Sequence, residues 1–256
     1  GSEVTGKTLG VVGLGAIGSI IANLALDLGM DVIGYDPAIS VEAAWQLSSR
    51  VERMESLEKL LASADFVTLH VPAIPATKHL INHETLSGMK SKAKILNFAR
   101  EEIVNTDDMV DALETGSIAG YISDFPTPAL LGRKNVLLMP HIGASTAEAE
   151  ENCAVMAADQ LKDFLENGNI YNSVNYPPTK MSRNGGSRIT FSNNNVPKVL
   201  GSVLSILADS EINVVDMVNK SRGEIAYNII DVEGDISTQL KEKIAQVDGV
   251  MRVRLL

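Results

Sequence analysis

Val11-Val12-Gly13-Leu14-Gly15-Ala16-Ile17-Gly18 decides how the first half of this chain is read. Two valines end a short apolar run. Three glycines follow at G-x-G-x-x-G spacing, and IGSIIANLALDLG then keeps a helical rhythm until Gly29. A glycine trio alone says little, because glycines punctuate many turns. Here the trio joins a strand to a helix, and Asp36 closes the next strand, DVIGYD. That context fits a dinucleotide site. Glycine backbone can approach a pyrophosphate, and the helix N-terminus supplies N–H donors. The carboxylate can accept from a ribose diol and repels a 2′-phosphate, which favours NAD over NADP. The competing reading is a structural turn with an aspartate opening the loop before Pro37.

Outward from this stretch, strands and helices alternate. SLEKLLASA reads as a helix, DFVTLHVP as a third strand, INHETLSGM as a helical turn and KAKILNFA as a fourth strand. TDDMVDALETG is helical, IAGYISD a fifth strand and NVLLMP a sixth. The alternation predicts an α/β fold, a doubly wound parallel sheet covered on both faces. A long helix is expected from Ser145 or Thr146 to about Asn167, with Ser145-x-x-Glu148 at capping-box spacing. From Gly168 the stretch GNIYNSVNYPPTKMSRNGGS reads as a linker. Six elements then follow in the order β-α-β-β-α-β, the ferredoxin-like arrangement, with a tight hairpin at Arg222-Gly223. The expected organisation is therefore 1–167, a dinucleotide domain; 168–187, a linker; and 188–256, a small second domain.

Composition excludes several function classes. The 256 residues carry a formal net charge of −10, which argues against nucleic acid and anionic membranes as partners. Cys153 is the single cysteine, so no intrachain disulfide is expected and a reducing, cytoplasmic setting fits. No apolar run reaches the ~18 residues of a membrane span. The opening GSEVTGK shows no signal-peptide core. No metal-ligand spacing stands out.

Two further residues sit where chemistry happens in such sheets. Arg100, in Asn97-Phe98-Ala99-Arg100, follows a strand and can clamp a carboxylate with two parallel hydrogen bonds; it could equally pair with Glu101 or Glu102. His141 follows the sixth strand and suits a general base that takes a hydroxyl proton as hydride leaves the same carbon; a satisfied strand-end histidine is the alternative. His70, before Val71-Pro72, could line a cofactor cleft.

VVGLGAIG, GYDP, NFAR, YISDFP and PHIGAST, in this order and spacing, resemble the D-2-hydroxyacid dehydrogenase family. PHIGAST followed by AEAEENCA, with the C-terminal module, resembles the branch that oxidises 3-phosphoglycerate to 3-phosphohydroxypyruvate on the way to serine. The last segment resembles an ACT domain, an effector-binding module. The resemblance implies that Arg100 holds the substrate carboxylate and that His141 is the general base. It implies an NAD site of Gly13, Gly15, Ala16, Ile17, Gly18, Asp36, Pro37, Val71, Pro72, Thr77, Phe98, Ala99, Asp124 and Gly143. It also implies a homo-oligomer, a small phosphorylated 2-hydroxy acid as substrate, and an effector, often L-serine, near Asn193, Asn195 and Asn213, where turn and cap chemistry is the other reading.

Departures from the family pattern matter. The family's acid partner for the histidine lies shortly after the fifth-strand aspartate, but FPTPALLGRKN carries none, so His141 is expected to lack an orienting carboxylate. Glu101 stands in place of a glycine and could compete for Arg100; Lys198 also stands where a glycine is usual. The family begins with a substrate domain, and Gly1-Ser2-Glu3-Val4 resembles its sequence just before the first strand, so a truncated and weakly active or inactive chain is expected. The alternative is a non-catalytic NAD-binding, effector-sensing module or an oligomerisation scaffold.

Overall fold

In the computed structural model, which describes residues 3–184 and 186–256, the run before Gly13 becomes an interior strand of a parallel sheet. Gly1, Ser2 and Gly185, which fall in the expected first domain and linker, lie outside the described residues. The chain divides into two compact units, Gly1–Ile142 and Gly143–Leu256.

The first unit runs β1 (Thr8–Val12), α1 (Ala16–Asp27), β2 (Asp31–Tyr35), α2 (Val41–Gln46), β3 (Glu52–Arg53), α3 (Leu57–Ser63), β4 (Phe66–Leu69), α4 (His83–Ser87), β5 (Lys94–Asn97), a 3-10 turn (Glu101–Ile103), α5 (Thr106–Thr115), β6 (Gly120–Ser123) and β7 (Val136–Leu138). All pairings are parallel, in the order β3-β2-β1-β4-β5-β6-β7. Val11 and Val12 are buried because helices cover both faces. Leu9, Val11, Ala22, Leu26 and Val32 form one core with α1; Leu60, Val67, Leu69, Ile95 and Met109 form the other with α3 and α5. The predicted six strands are all present. The structure adds α2 and the two-residue edge strand β3, too short to carry a period of their own.

The second unit runs α6 (Ala147–Asn167), β8 (Ser187–Asn194), α7 (Val199–Asp209), β9 (Val214–Arg222), β10 (Ile225–Val232), α8 (Thr238–Ala245) and β11 (Val250–Leu255). Its antiparallel sheet has the order β11-β8-β10-β9. Ile189, Phe191, Ile230 and Val253 meet Val203, Leu207, Leu240 and Ile244 of α7 and α8 in a separate core. The composition break at Gly168 lies inside this unit, because the end of α6 is tied to the sheet. Tyr227 donates to Gly168 O at 2.8 Å, and Arg254 donates to Phe164 O and Leu165 O.

Two local expectations are corrected. The cap of α6 is Thr146, whose Oγ1 accepts from Ala149 N at 3.1 Å, and not Ser145. The hairpin turn is Gly223-Glu224, since Arg222 and Ile225 are paired; Gly223, at φ +59°, supplies the left-handed residue such a turn needs.

Candidate functional site

The strand order reverses between β1 and β4, which opens a crevice at the carboxyl ends of the strands. The loops along that edge carry most of the residues singled out from sequence. Gly13 to Gly18 follow β1 and Asp36-Pro37 follow β2. Val71, Pro72 and Thr77 follow β4, and Phe98, Ala99 and Arg100 follow β5. Asp124 follows β6 and His141 follows β7. Gly143 opens the second unit.

The three fingerprint glycines are glycine for different reasons. Gly13 sits at φ +90°, and a Cβ there would lie 2.6 Å from His70 O. A Cβ on Gly18 would lie 1.9 Å from Gly13 O, so the start of α1 packs on the turn only without one. Gly15 has φ −68° and a Cβ there would meet nothing within 4 Å. Among the described residues nothing requires glycine at Gly15, and the open space there would admit a pyrophosphate. No side chain caps α1, so its first N–H groups remain donors for an anion. Ala16 and Ile17 are exposed beside it. The residues present therefore fit a dinucleotide.

Asp36 is tied to the same turn. Its Oδ2 accepts from Leu14 N at 2.8 Å and its Oδ1 from Ala38 N at 2.9 Å. A carboxylate has about four acceptor sites, so two remain for a ribose diol. The loop after β4 is closed by Thr77, whose Oγ1 bonds Pro72 O and accepts from Ile74 N. His70 lies beneath the glycine turn with its Nε2 2.9 Å from Thr68 Oγ1, and burial pushes its pKa down.

Arg100 is exposed, and its Nη1 donates to Ala99 O at 2.6 Å. Among the described residues it forms no ion pair with Glu101 or Glu102. The turn that presents it is organised by Asn97, which is fully buried. Asn97 Oδ1 accepts from Ala99 N, and its Nδ2 donates to Arg100 O at 2.9 Å and to Tyr121 Oη at 3.3 Å.

The absence of an acid between Asp124 and His141 does not leave His141 alone. Asp124 Oδ2 itself stands 2.8 Å from His141 Nδ1. This corrects the expectation of an unsupported histidine: the carboxylate comes from the adjacent strand end, β6 beside β7. Asp124 is buried to 12% side-chain exposure whereas His141 retains 56%, and the Phe125 ring lies 4.9 Å from the imidazole. A carboxylate can only accept, so Nδ1 carries the proton and Nε2 is left as the basic atom facing outward. The resemblance implies a cofactor role for Asp124; its pairing with His141 has no local signal in the sequence, because it depends on the register of β6 with β7.

The three asparagines are not brought together in one chain. Asn193 is 3% exposed and its Oδ1 accepts from Asn228 Nδ2 at 2.7 Å, inside the sheet. Asn195 is near the start of β10, with its Nδ2 donating to Gly223 O. Asn213 is at the other end of β10, where its carbonyl accepts from Glu233 N. Among the described residues no group of three His, Cys, Asp or Glu side chains could hold a metal ion. No described helix is long and apolar enough to cross a membrane.

Residues 1–143 match the family described as D-isomer specific 2-hydroxyacid dehydrogenase, NAD binding domain. The chain is 35% identical over 266 aligned residues to D-3-phosphoglycerate dehydrogenase of Haemophilus influenzae, covering 99% of this chain and 64% of that protein. It is 34% identical over 267 aligned residues to the Escherichia coli enzyme of the same name, again covering 99% of this chain and 64% of the relative. The NAD-complexed D-isomer specific 2-hydroxyacid dehydrogenase of Lactobacillus delbrueckii superposes with a TM-score of 0.60 at 28% identity, covering 68% of this chain and 58% of that one. The chain thus spans less than two thirds of the length of these relatives.

Proposed function

The chain belongs to the D-isomer specific 2-hydroxyacid dehydrogenase family, and from that premise we propose that it takes part in the NAD-dependent oxidation of 3-phosphoglycerate to 3-phosphohydroxypyruvate. The observation that carries the reading is the Asp124–His141 pair, one strand away from an exposed Arg100, on the edge that bears the glycine turn. The names of the relatives at 35% and 34% identity support the substrate.

NAD would be held by the Gly13–Gly18 turn and Asp36, with the loops after β4 and β5 beside it, and it supplies the acceptor for the hydride. Arg100 grips the substrate carboxylate through paired N–H donors. His141 Nε2 receives the hydroxyl proton. Asp124 keeps Nδ1 protonated, fixes the ring orientation and stabilises the imidazolium as it forms. Asp124 is thus a positioning residue that works through His141. We assign residues 188–256 to an ACT-like regulatory role; Asn195 and Asn213, exposed at opposite ends of β10, would reach one small amino acid only from two different chains. Asn193 is committed to Asn228 and drops out of that set.

The test is a titration of NADH by fluorescence, followed by addition of 3-phosphohydroxypyruvate and observation of the nicotinamide signal. Binding followed by loss of signal is the expected result. Binding without loss limits the chain to holding the cofactor, and no binding overturns the reading. Asp124→Asn is expected to lower kcat on the order of 100-fold with KM and NADH affinity little changed. A loss confined to NADH affinity would place Asp124 with the cofactor instead.

A further inference from the structure

A cavity of about 470 Å3 in the second unit has no part in that reading, and its size suits a small molecule. It lies on the sheet face turned away from α7 and α8. Phe191, Ile189 and Val253 point to those helices, so by alternation Thr190, Ser192, Arg252 and Arg254 point the other way. The roof is the end of α6 with residues 169–176. Leu161, Phe164, Leu165, Ile170, Tyr171 and Tyr176 make apolar walls.

The floor is polar and cationic. Arg252 is paired across the strands with Ser192, and Arg254 with Thr190. Arg254 is fixed by its bonds to Phe164 O and Leu165 O at 3.0 and 2.8 Å and lies 4.5 Å from the Phe164 ring centroid. Arg252 is exposed at the rim. No acidic side chain lines the cavity among the described residues, in a chain with 32 Asp and Glu against 22 Lys and Arg. Asp163, on the same helix, is held by Asn167 and Asn169. Thr190 is 1% exposed, with its hydroxyl beside that of Tyr227. The neighbouring Tyr227 hydroxyl directs its proton to Gly168 O.

We propose that this cavity binds an amphiphilic organic anion, with its charged group against Arg252 and Arg254 and an aromatic or aliphatic body between Phe164 and Tyr171. Its chemistry separates it from the dinucleotide site: large apolar walls, two arginines, and no glycine turn.

The probe is 1-anilinonaphthalene-8-sulfonate, with N-phenyl-1-naphthylamine as the same body without the charge. Both are titrated into the full chain by fluorescence with NADH present. Saturable sulfonate binding is expected, about ten-fold weaker in Arg252→Gln, while the neutral compound is unaffected by that change. Leu161→Trp fills the cavity from an exposed helix position, where folding is little disturbed, and is expected to remove both. Equal response of the two probes to Arg252→Gln, or no response by either, overturns the anion assignment. Sulfonate binding that persists in Leu161→Trp overturns the location. The variants, not NADH, locate the probe, so these outcomes stand whether or not the dinucleotide reading holds.

Discussion

Asp124 and His141 show how much one hydrogen bond can change a reading. Along the chain, Phe125 to Pro140 contain no acid, and the histidine looks bereft. In space the aspartate at the end of β6 meets the histidine at the end of β7, because parallel neighbours bring their carboxyl ends side by side. His70, against the glycine turn, gives a pH prediction. Burial lowers its folded pKa below the unfolded value, so the folded state disfavours the charged form. The sign follows: His70 leaves stability intact above about pH 6.5 and removes it as pH falls below that value. Urea midpoints of the native chain are expected to drop more steeply between about pH 6.5 and 5 than those of His70→Gln. Parallel slopes would assign the acid sensitivity elsewhere.

At the scale of elements, the turn into α1 separates structural glycine from functional glycine. Gly15→Ala is expected to leave the melting temperature nearly unchanged while weakening NADH at least about ten-fold, because its Cβ meets only the space a pyrophosphate would take. Gly18→Ala is expected to destabilise the first unit, because its Cβ would overlap Gly13 O. Calorimetry and NADH titration on the two variants distinguish these outcomes. In the second unit, Lys198 caps α7 at φ +78°, a conformation that suits glycine. Lys198→Gly is expected to stabilise that unit by about 1 kcal/mol, read as a higher denaturant midpoint. The glycine spacing and strand-helix alternation were legible in sequence because each is a local period. The two-residue β3 and the α6 cap were not, because pairing with β2 creates the first and Thr146 and Ser145 are chemically equivalent candidates for the second.

At the scale of the whole molecule, the second unit is closed by a buried ion pair that no local pattern announces. Arg188 and Asp231 face each other across β8 and β10, at 0% and 1% side-chain exposure, with Nε to Oδ1 at 2.5 Å and Nη2 to Oδ2 at 2.7 Å. The remaining donors hold Asn167 O, Met181 O and Ser182 O, so one guanidinium joins the sheet, the end of α6 and the segment before β8. Arg188→Met strands a buried carboxylate and is expected to cost about 3–5 kcal/mol; adding Asp231→Leu should recover much of it. Equilibrium unfolding of both variants checks this. Sequence alone determined the parallel sheet, the glycine turn with Asp36, the order of the last six elements and the positions of Arg100 and His141, since each rests on residues close in the chain. Tertiary structure alone decided that Asp124 meets His141, that Asn193 is locked inside the sheet away from Asn213, and that Arg188 is buried against Asp231. Those facts depend on strand register, which sets groups distant in sequence within hydrogen-bond reach.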